Sequence, residues 1–198
     1  MSGVGLAPAV AADDEILVRR TLAGDLPAFA QLVERHRALA VRVAARVVGE
    51  AEADDVAQDA LLRAFHRLDQ FRGDSPFRAW LLRIVHNTAL NALERRRPLP
   101  VPEPPDEERA ADAPPERTPA DELELRERRE QLARKLLELQ PTHRAVLVLR
   151  DLEGLSYEEI AHVTESPLGS VKGRLHRARR ELIEILRRNT YDWELPRD

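Results

Sequence analysis

Seven cations, Lys172, Arg174, Arg177, Arg179, Arg180, Arg187 and Arg188, fall between Ser166 and Arg188 against only two acids, Glu181 and Glu184. Guanidinium and ammonium groups at this density are suited to neutralising phosphate oxygens. At about 100° per residue, Ser170, Gly173, His176, Arg177 and Arg180 share one side of a helix, with Lys172 and Arg174 on its flanks. Leu168, Val171, Leu175, Ala178, Leu182 and Leu186 share the other side, which leaves the basic side for a ligand. Gly173 stands in the middle of the basic side, although a glycine inside a helix costs about 1 kcal/mol relative to alanine. No core contact requires it there. A missing side chain would instead let the backbone approach a base edge or a phosphate.

A second group of residues suggests contact with a protein. In the stretch EADDVAQDALLRAFHRL, Val56, Ala57, Ala60, Leu61, Ala64 and Phe65 form an apolar stripe, with Asp54, Asp55, Gln58, Asp59, Leu62 and Arg63 outside it. Acids near a helix start favour the helix dipole, which accounts for Asp54 and Asp55 by themselves. Gln58, Asp59, an outward Leu62 and Arg63 together resemble a docking surface. Metal or acid–base chemistry is a poorer reading of the carboxylates, because no histidine stands at ligand spacing and no glycine-rich loop accompanies them.

A third group follows in DQFRGDS and the segment after it. Phe71 and Arg72 lie in a short loop, and Ser75–Pro76 predicts a helix start by the pairing of a cap residue with proline at the first position. Phe77, Trp80, Leu81, Ile84, Val85, Thr88 and Ala92 form the expected core sector of that helix. Arg78, Arg83, His86, Asn87, Asn91 and Arg95 to Arg97 are left for its surface. An aromatic loop beside a basic, amide-bearing helix suits single-stranded nucleic acid, with arginines following phosphates and an amide reading an unstacked base.

The elements that position these groups are helical. Ser156 and Glu159 have the spacing of a capping box, and Ser166–Pro167 repeats the cap-plus-proline signal about ten residues later. Two starts so close together predict a helix-turn-helix. Ahead of it, Leu125, Leu132, Leu136, Leu137 and Leu139 mark one apolar helix, stopped at Pro141, and Arg144 to Leu152 marks another, closed by Gly154. Nearer the amino terminus, Phe29, Leu32, Val33, His36, Leu39, Ala40, Val43 and Val47 step by three and four until Gly49. Residues 1–12 lack periodicity and read as a disordered tail. From Pro98 to Pro119 periodicity stops, and eight of the chain's 14 prolines fall among acids. The expected organisation is a domain over 13–97, a linker over 98–120, a second domain over 121–188, and a tail over 189–198 without a readable role.

Composition agrees with an all-α chain. Of 198 residues only 4% are aromatic, alanine, leucine and arginine dominate, and hairpin turns between β-branched runs are absent. The absence of cysteine excludes disulfides and thiolate metal sites. No apolar run approaches the roughly 20 residues of a membrane span, so a soluble, cytoplasmic protein without membrane insertion is expected. The net charge of −4 conceals an uneven distribution. Residues 99–122 hold eight acids against two Arg, whereas the stretches on either side each carry one net positive charge.

DVAQDALLRAFHRLDQFRGDSPFRAWLLRIVHNTALNALERRR followed by LSYEEIAHVTESPLGSVKGRLHRARREL, joined by an acidic linker, resembles a bacterial RNA polymerase sigma factor of the extracytoplasmic-function group of the sigma-70 family. The resemblance implies two small helical domains, no cofactor and no catalysis. It implies a factor that binds core RNA polymerase, through its largest and second-largest subunits, and directs it to promoter DNA. One domain would read the −35 element as duplex, and the other the −10 element as melted strand. Asp55, Gln58, Asp59, Leu62 and Arg63 match the polymerase-docking surface. Phe71, Arg72, Arg83 and Asn87 match the downstream-element reader, with Asn87 foremost for a flipped base. Lys172, Gly173, His176 and Arg177 match the upstream-element reader, with Ser170, Arg174 and Arg179 on phosphates. The linker would follow the RNA exit path, and an anti-sigma factor would be a partner. A stand-alone helix-turn-helix regulator is the alternative, but it would have no use for the DVAQDALL surface.

Overall fold

The computed structural model describes residues 7–95 and 119–188, with side chains for 13–95 and 127–188. The expected linker, apart from its last two residues, and the expected carboxy-terminal tail lie outside the described residues. Eight α-helices are described: α1 (Ala7–Leu22), α2 (Leu26–Val48), α3 (Glu50–His66), α4 (Phe77–Arg95), α5 (Pro119–Glu138), α6 (Pro141–Leu147), α7 (Tyr157–Val163) and α8 (Leu168–Arg187). A single 3₁₀ turn, Leu68–Gln70, follows α3, and α6 widens into a π-helical turn over Val148–Leu152. There is no strand among the described residues.

Helix α1 begins inside the stretch expected to be a tail. APAVAA supplies four alanines and a proline in the first turn, where its missing N–H costs nothing, so helix propensity carries the start back to Ala7. Buried Asp14 then ties α1 to α2, accepting from Arg35 Nη1 at 2.6 Å and pairing with His36 Nε2 at 2.8 Å. Asp25 caps α2 through Ala28 N, with proline in the first turn. Gly49 allows α2 and α3 to follow each other with one residue between them. Its φ of 99° lies in the left-handed region, and its N–H still returns to Ala45 O.

Helices α2, α3 and α4 pack mutually. Leu32, Val43, Val47, Leu81 and Val85 are fully buried among the small residues Ala40, Ala57, Ala60 and Ala64, which let the helices approach closely. Phe77 and Trp80 are core residues, as their angular positions indicate. In the second unit, α6 packs on α8, and Leu136, Val146, Leu149, Ile160, Val171 and Leu175 are buried together. The expected stripe on α8 holds at Val171, Leu175, Ala178 and Leu186. Leu168 is exposed in the first turn, and Ile185 joins the buried set.

The two units are not separate bodies. Helix α4 packs on α7, α2 meets α5 and α6, and the buried residues of both units form one continuous cluster. Helix α4 is therefore covered on two sides. At about 100° per residue, Ala79, Leu82 and His86 fall opposite the Ile84–Leu81–Thr88 sector, yet they are equally buried. His86 was expected on the surface. It is 7% exposed because the helix-turn-helix lies across that side of α4.

Candidate nucleic-acid interface

The helix-turn-helix forms as the capping signals require at its first helix and one residue later at its second. Ser156 Oγ accepts from Glu159 N at 3.1 Å, and Glu159 Oε2 accepts from Ser156 N at 2.7 Å, a complete capping box. The turn passes through Glu165, whose φ of 48° is left-handed. Pro167, rather than Ser166, occupies the cap of α8, and its carbonyl accepts from Val171 N at 3.1 Å. Ser166 Oγ instead donates to Thr164 O. The same displacement occurs at α4, where Pro76 O accepts from Ala79 N and Trp80 N while Ser75 Oγ pairs with His162 Nε2 at 3.1 Å. In both cases the serine hydroxyl has a tertiary or turn partner that competes with capping.

Helix α8 presents Ser170, Lys172, His176, Arg177, Arg179 and Arg180 to solvent, with Gly173 and Arg174 partly covered. A Cβ placed on Gly173 would meet nothing nearer than Arg177 Nη1 at 3.9 Å, so packing within the chain does not call for glycine. Lys172 Nζ lies 5.6 Å over the Tyr157 ring, which Arg150 also covers at 4.7 Å. Arg179 is held bidentately by Asp151, at 3.0 and 2.5 Å, and this pairing raises its pKa. Arg174 Nη1 reaches Ser166 Oγ at 3.4 Å. Arg177 and Arg180 are exposed and take part in none of these pairings, which leaves both available to a ligand.

On α3, Asp55, Gln58 and Leu62 are exposed in a row, and Leu62, at 54%, is a large apolar side chain facing water. Asp59 and Arg63 close a two-point ion pair one turn apart, Nε–Oδ1 3.0 Å and Nη2–Oδ2 2.9 Å. Phe65 is more exposed than its stripe predicts and meets Phe29 at 4.8 Å. The loop aromatic Phe71 is not free. It packs edge-on against Phe77 and Trp80 at 5.7 and 5.5 Å, because aromatic edges favour neighbouring faces over water. Arg72 is exposed, and Arg83 reaches Glu165 Oε1 at 3.4 Å. Asn87 is exposed and, with Arg63, Arg67, Asn91 and Glu94, lines an open cleft of about 380 Å³ between α3 and α4.

Exposed cations, an exposed leucine and an amide-lined cleft suit contact with charged, hydrogen-bonding polymers and with proteins. Among the described residues no group of three or more His, Cys, Asp or Glu could hold a metal ion. No described helix is long and apolar enough to cross a membrane.

Two family models match the chain, Sigma-70 region 2 over residues 32–98 and Sigma-70, region 4 over residues 129–182. The chain is 38% identical over 177 residues to the ECF RNA polymerase sigma-E factor of Escherichia coli K12, covering 84% of this chain and 90% of that protein. It is 38% identical over 188 residues to the RNA polymerase sigma-H factor of Pseudomonas aeruginosa, covering 87% and 93%. Among solved structures it resembles CnrH in complex with the cytosolic domain of CnrY, with TM-score 0.64 and 34% identity over 90% of this chain and 99% of that one. It shares the fold of the sigma factor RpoE from Bartonella quintana, solved with the anti-sigma factor NepR, with TM-score 0.59, 23% identity and coverage of 80% and 96%. The region 2 match takes in the α3 and α4 surfaces for which a stand-alone regulator has no use. The chain belongs to the sigma-70 family, in its extracytoplasmic-function group, and is a transcription initiation factor that directs RNA polymerase to promoters.

Proposed function

We propose that recognition is divided among three surfaces of this chain. The Asp55, Gln58, Asp59, Leu62 and Arg63 row on α3 docks on the largest subunit of core RNA polymerase, with exposed Leu62 as the apolar centre and charge around it. The Asn87 cleft receives a base flipped from the melted −10 strand. Arg67 stands beside it for phosphates, and Arg72 and Arg83 extend the basic path. Phe71 supports this surface from beneath by bracing Trp80.

On α8, Lys172, His176 and Arg177 read base edges of the duplex −35 element around the bare backbone of Gly173, and Ser170, Arg174 and Arg179 hold phosphates. Arg179 would exchange Asp151 for a phosphate, or remain as the brace that fixes α8 on the preceding turn. The exposure of Arg177 beside a glycine that no internal contact demands is the observation that carries this assignment. The protein acts in the cytoplasm by binding alone, without a catalytic step. An anti-sigma factor is its expected inhibitor, as CnrY and NepR are found with the similar sigma factors.

Footprinting of the holoenzyme on a responsive promoter tests the division. Duplex protection over the upstream element with permanganate-reactive thymines only in the downstream one is the expected pattern. Melting under α8, or protection confined to one element, would overturn it.

A further inference from the structure

Tyr157 has no part in the recognition steps above, yet two cations of the second domain meet at its ring. It is the first residue of α7, directly after the cap Ser156, and the closed capping box fixes the backbone that carries the ring. The side chain is partly buried and packs against the core where α7 meets α8. Arg150 covers the ring at 4.7 Å and is itself anchored, donating from Nη1 to Leu155 O at 2.6 Å. Lys172 reaches the same ring from α8. Its Nζ is 5.6 Å from the centroid, inside the roughly 6 Å over which an aromatic face attracts an ammonium. We propose, on the reading of Lys172 as a base contact, that Tyr157 is a positioning residue for promoter recognition, its ring aiming the Lys172 ammonium at the upstream element.

A lysine needs such aiming more than its arginine neighbours do. Its ammonium is a point charge on a flexible four-carbon stem, whereas a guanidinium is planar and directional. Lys172 is the one lysine on a reading helix otherwise supplied with arginine, so the least directional cation there is the one provided with a ring. Among the described residues no carboxylate pairs with Lys172. An ammonium resting on a ring face keeps its charge and its three donors for the acceptors of a base edge. Arg179 shows the other way of placing a cation, since its bidentate hold on Asp151 occupies donors.

Both devices start from one turn. Arg150 and Asp151 are successive residues of the π-helical stretch Val148–Leu152, a departure from α-helix that recurs at functional sites. One of them reaches Tyr157 and the other Arg179. The turn therefore places two cations of α8 from outside that helix: Arg179 directly, and Lys172 through the ring that Arg150 covers. Packing alone would be served by any large apolar side chain at the start of α7. A site shared by two cations needs the negative face of an aromatic ring.

A double-mutant cycle tests the coupling. The full chain is assembled with core polymerase and offered promoter duplexes randomised over the upstream element, and the retained sequences are counted. Lys172→Ala first identifies the base pair whose preference depends on the ammonium. Tyr157→Leu is expected to relax preference at that same pair by about two- to fivefold, the size of an exposed cation–π contact, and to leave the pair read by Arg177 unchanged. With Lys172→Ala already in place, Tyr157→Leu should have no further effect. Equal relaxation in both backgrounds would overturn the proposal, because the ring would then act without Lys172. Tyr157→Phe keeps the ring face and is expected to restore the preference. A loss as large as with Tyr157→Leu would overturn the proposal too, since the hydroxyl would be the working group. Replacing Tyr157 by a trifluorophenylalanine keeps the shape of the ring while withdrawing electrons from its face, so it should reproduce the loss in a chain that folds normally. Undiminished preference would contradict a cation–π contact. If Lys172→Ala itself left every base preference unchanged, the assignment of Lys172 to bases would fall and the positioning role with it. Additive effects beside a base-reading Lys172 would remove only the role of Tyr157.

Discussion

Gly173 and Arg177 share one side of α8 and separate two demands, helix stability and access to DNA. Because a Cβ at position 173 meets only the tip of Arg177, Gly173→Ala is expected to raise the stability of the free protein by about 1 kcal/mol in thermal melts. The same substitution should weaken binding to the upstream duplex. Stronger or unchanged binding would mean that the backbone does not approach the groove. Arg177→Ala is expected to cost about 1 to 3 kcal/mol and to relax preference at one base pair. A uniform loss over all sequences in a binding-site selection would place Arg177 on a phosphate instead. Arg179 illustrates where residue counting stops being informative, because the sequence shows its charge but not that Asp151, 28 positions earlier, already holds it.

The helices were legible where one neighbour decides their pattern. The Ser156–Glu159 box, the Val171–Leu175–Ala178 stripe and the buried Trp80 follow from local spacing and are present. Helix α4 was only half legible. Its first apolar sector is evident, but Leu82 and His86 lie among arginines and asparagines, and their burial depends on a domain about 75 residues further along. The spacing of Ala79, Leu82 and His86, three and four residues apart, was the available signal. Both cap-plus-proline starts fell one residue late because Ser75 and Ser166 have partners that spacing cannot reveal.

Two predictions belong to these elements. Asp59→Arg reverses the charge on the α3 row and breaks its pair with Arg63, at a local cost of about 0.5 kcal/mol between like charges one turn apart. Core polymerase binding should be abolished while circular dichroism remains helical; undiminished binding would remove the docking surface. His86 is pushed down from 6.5 to about 4 by burial and secondarily by nearby Arg174. Its neutral form is favoured in the fold, so its contribution is whole above pH 6.5. It is lost as pH falls toward 4, by roughly 3 kcal/mol at the limit. His86→Gln should flatten that part of the stability profile relative to wild type. An identical slope in both proteins would show that His86 does not titrate in this way.

At the scale of the whole molecule, the α3 row proposed to face polymerase, the cleft proposed for a single strand and the helix proposed to read duplex lie on two domains that fit together through Glu153 and α4. Each surface is modest alone. Under the proposed division, directed initiation requires all three on one chain, with the upstream and downstream readers joined through polymerase. The most direct measurement is run-off transcription by purified core RNA polymerase on a library of promoter-like duplexes, with and without the protein. Transcripts only in its presence, from templates that share two spaced elements, are the predicted result. A protein that bound duplex DNA yet neither bound core polymerase nor started transcripts would contradict the account.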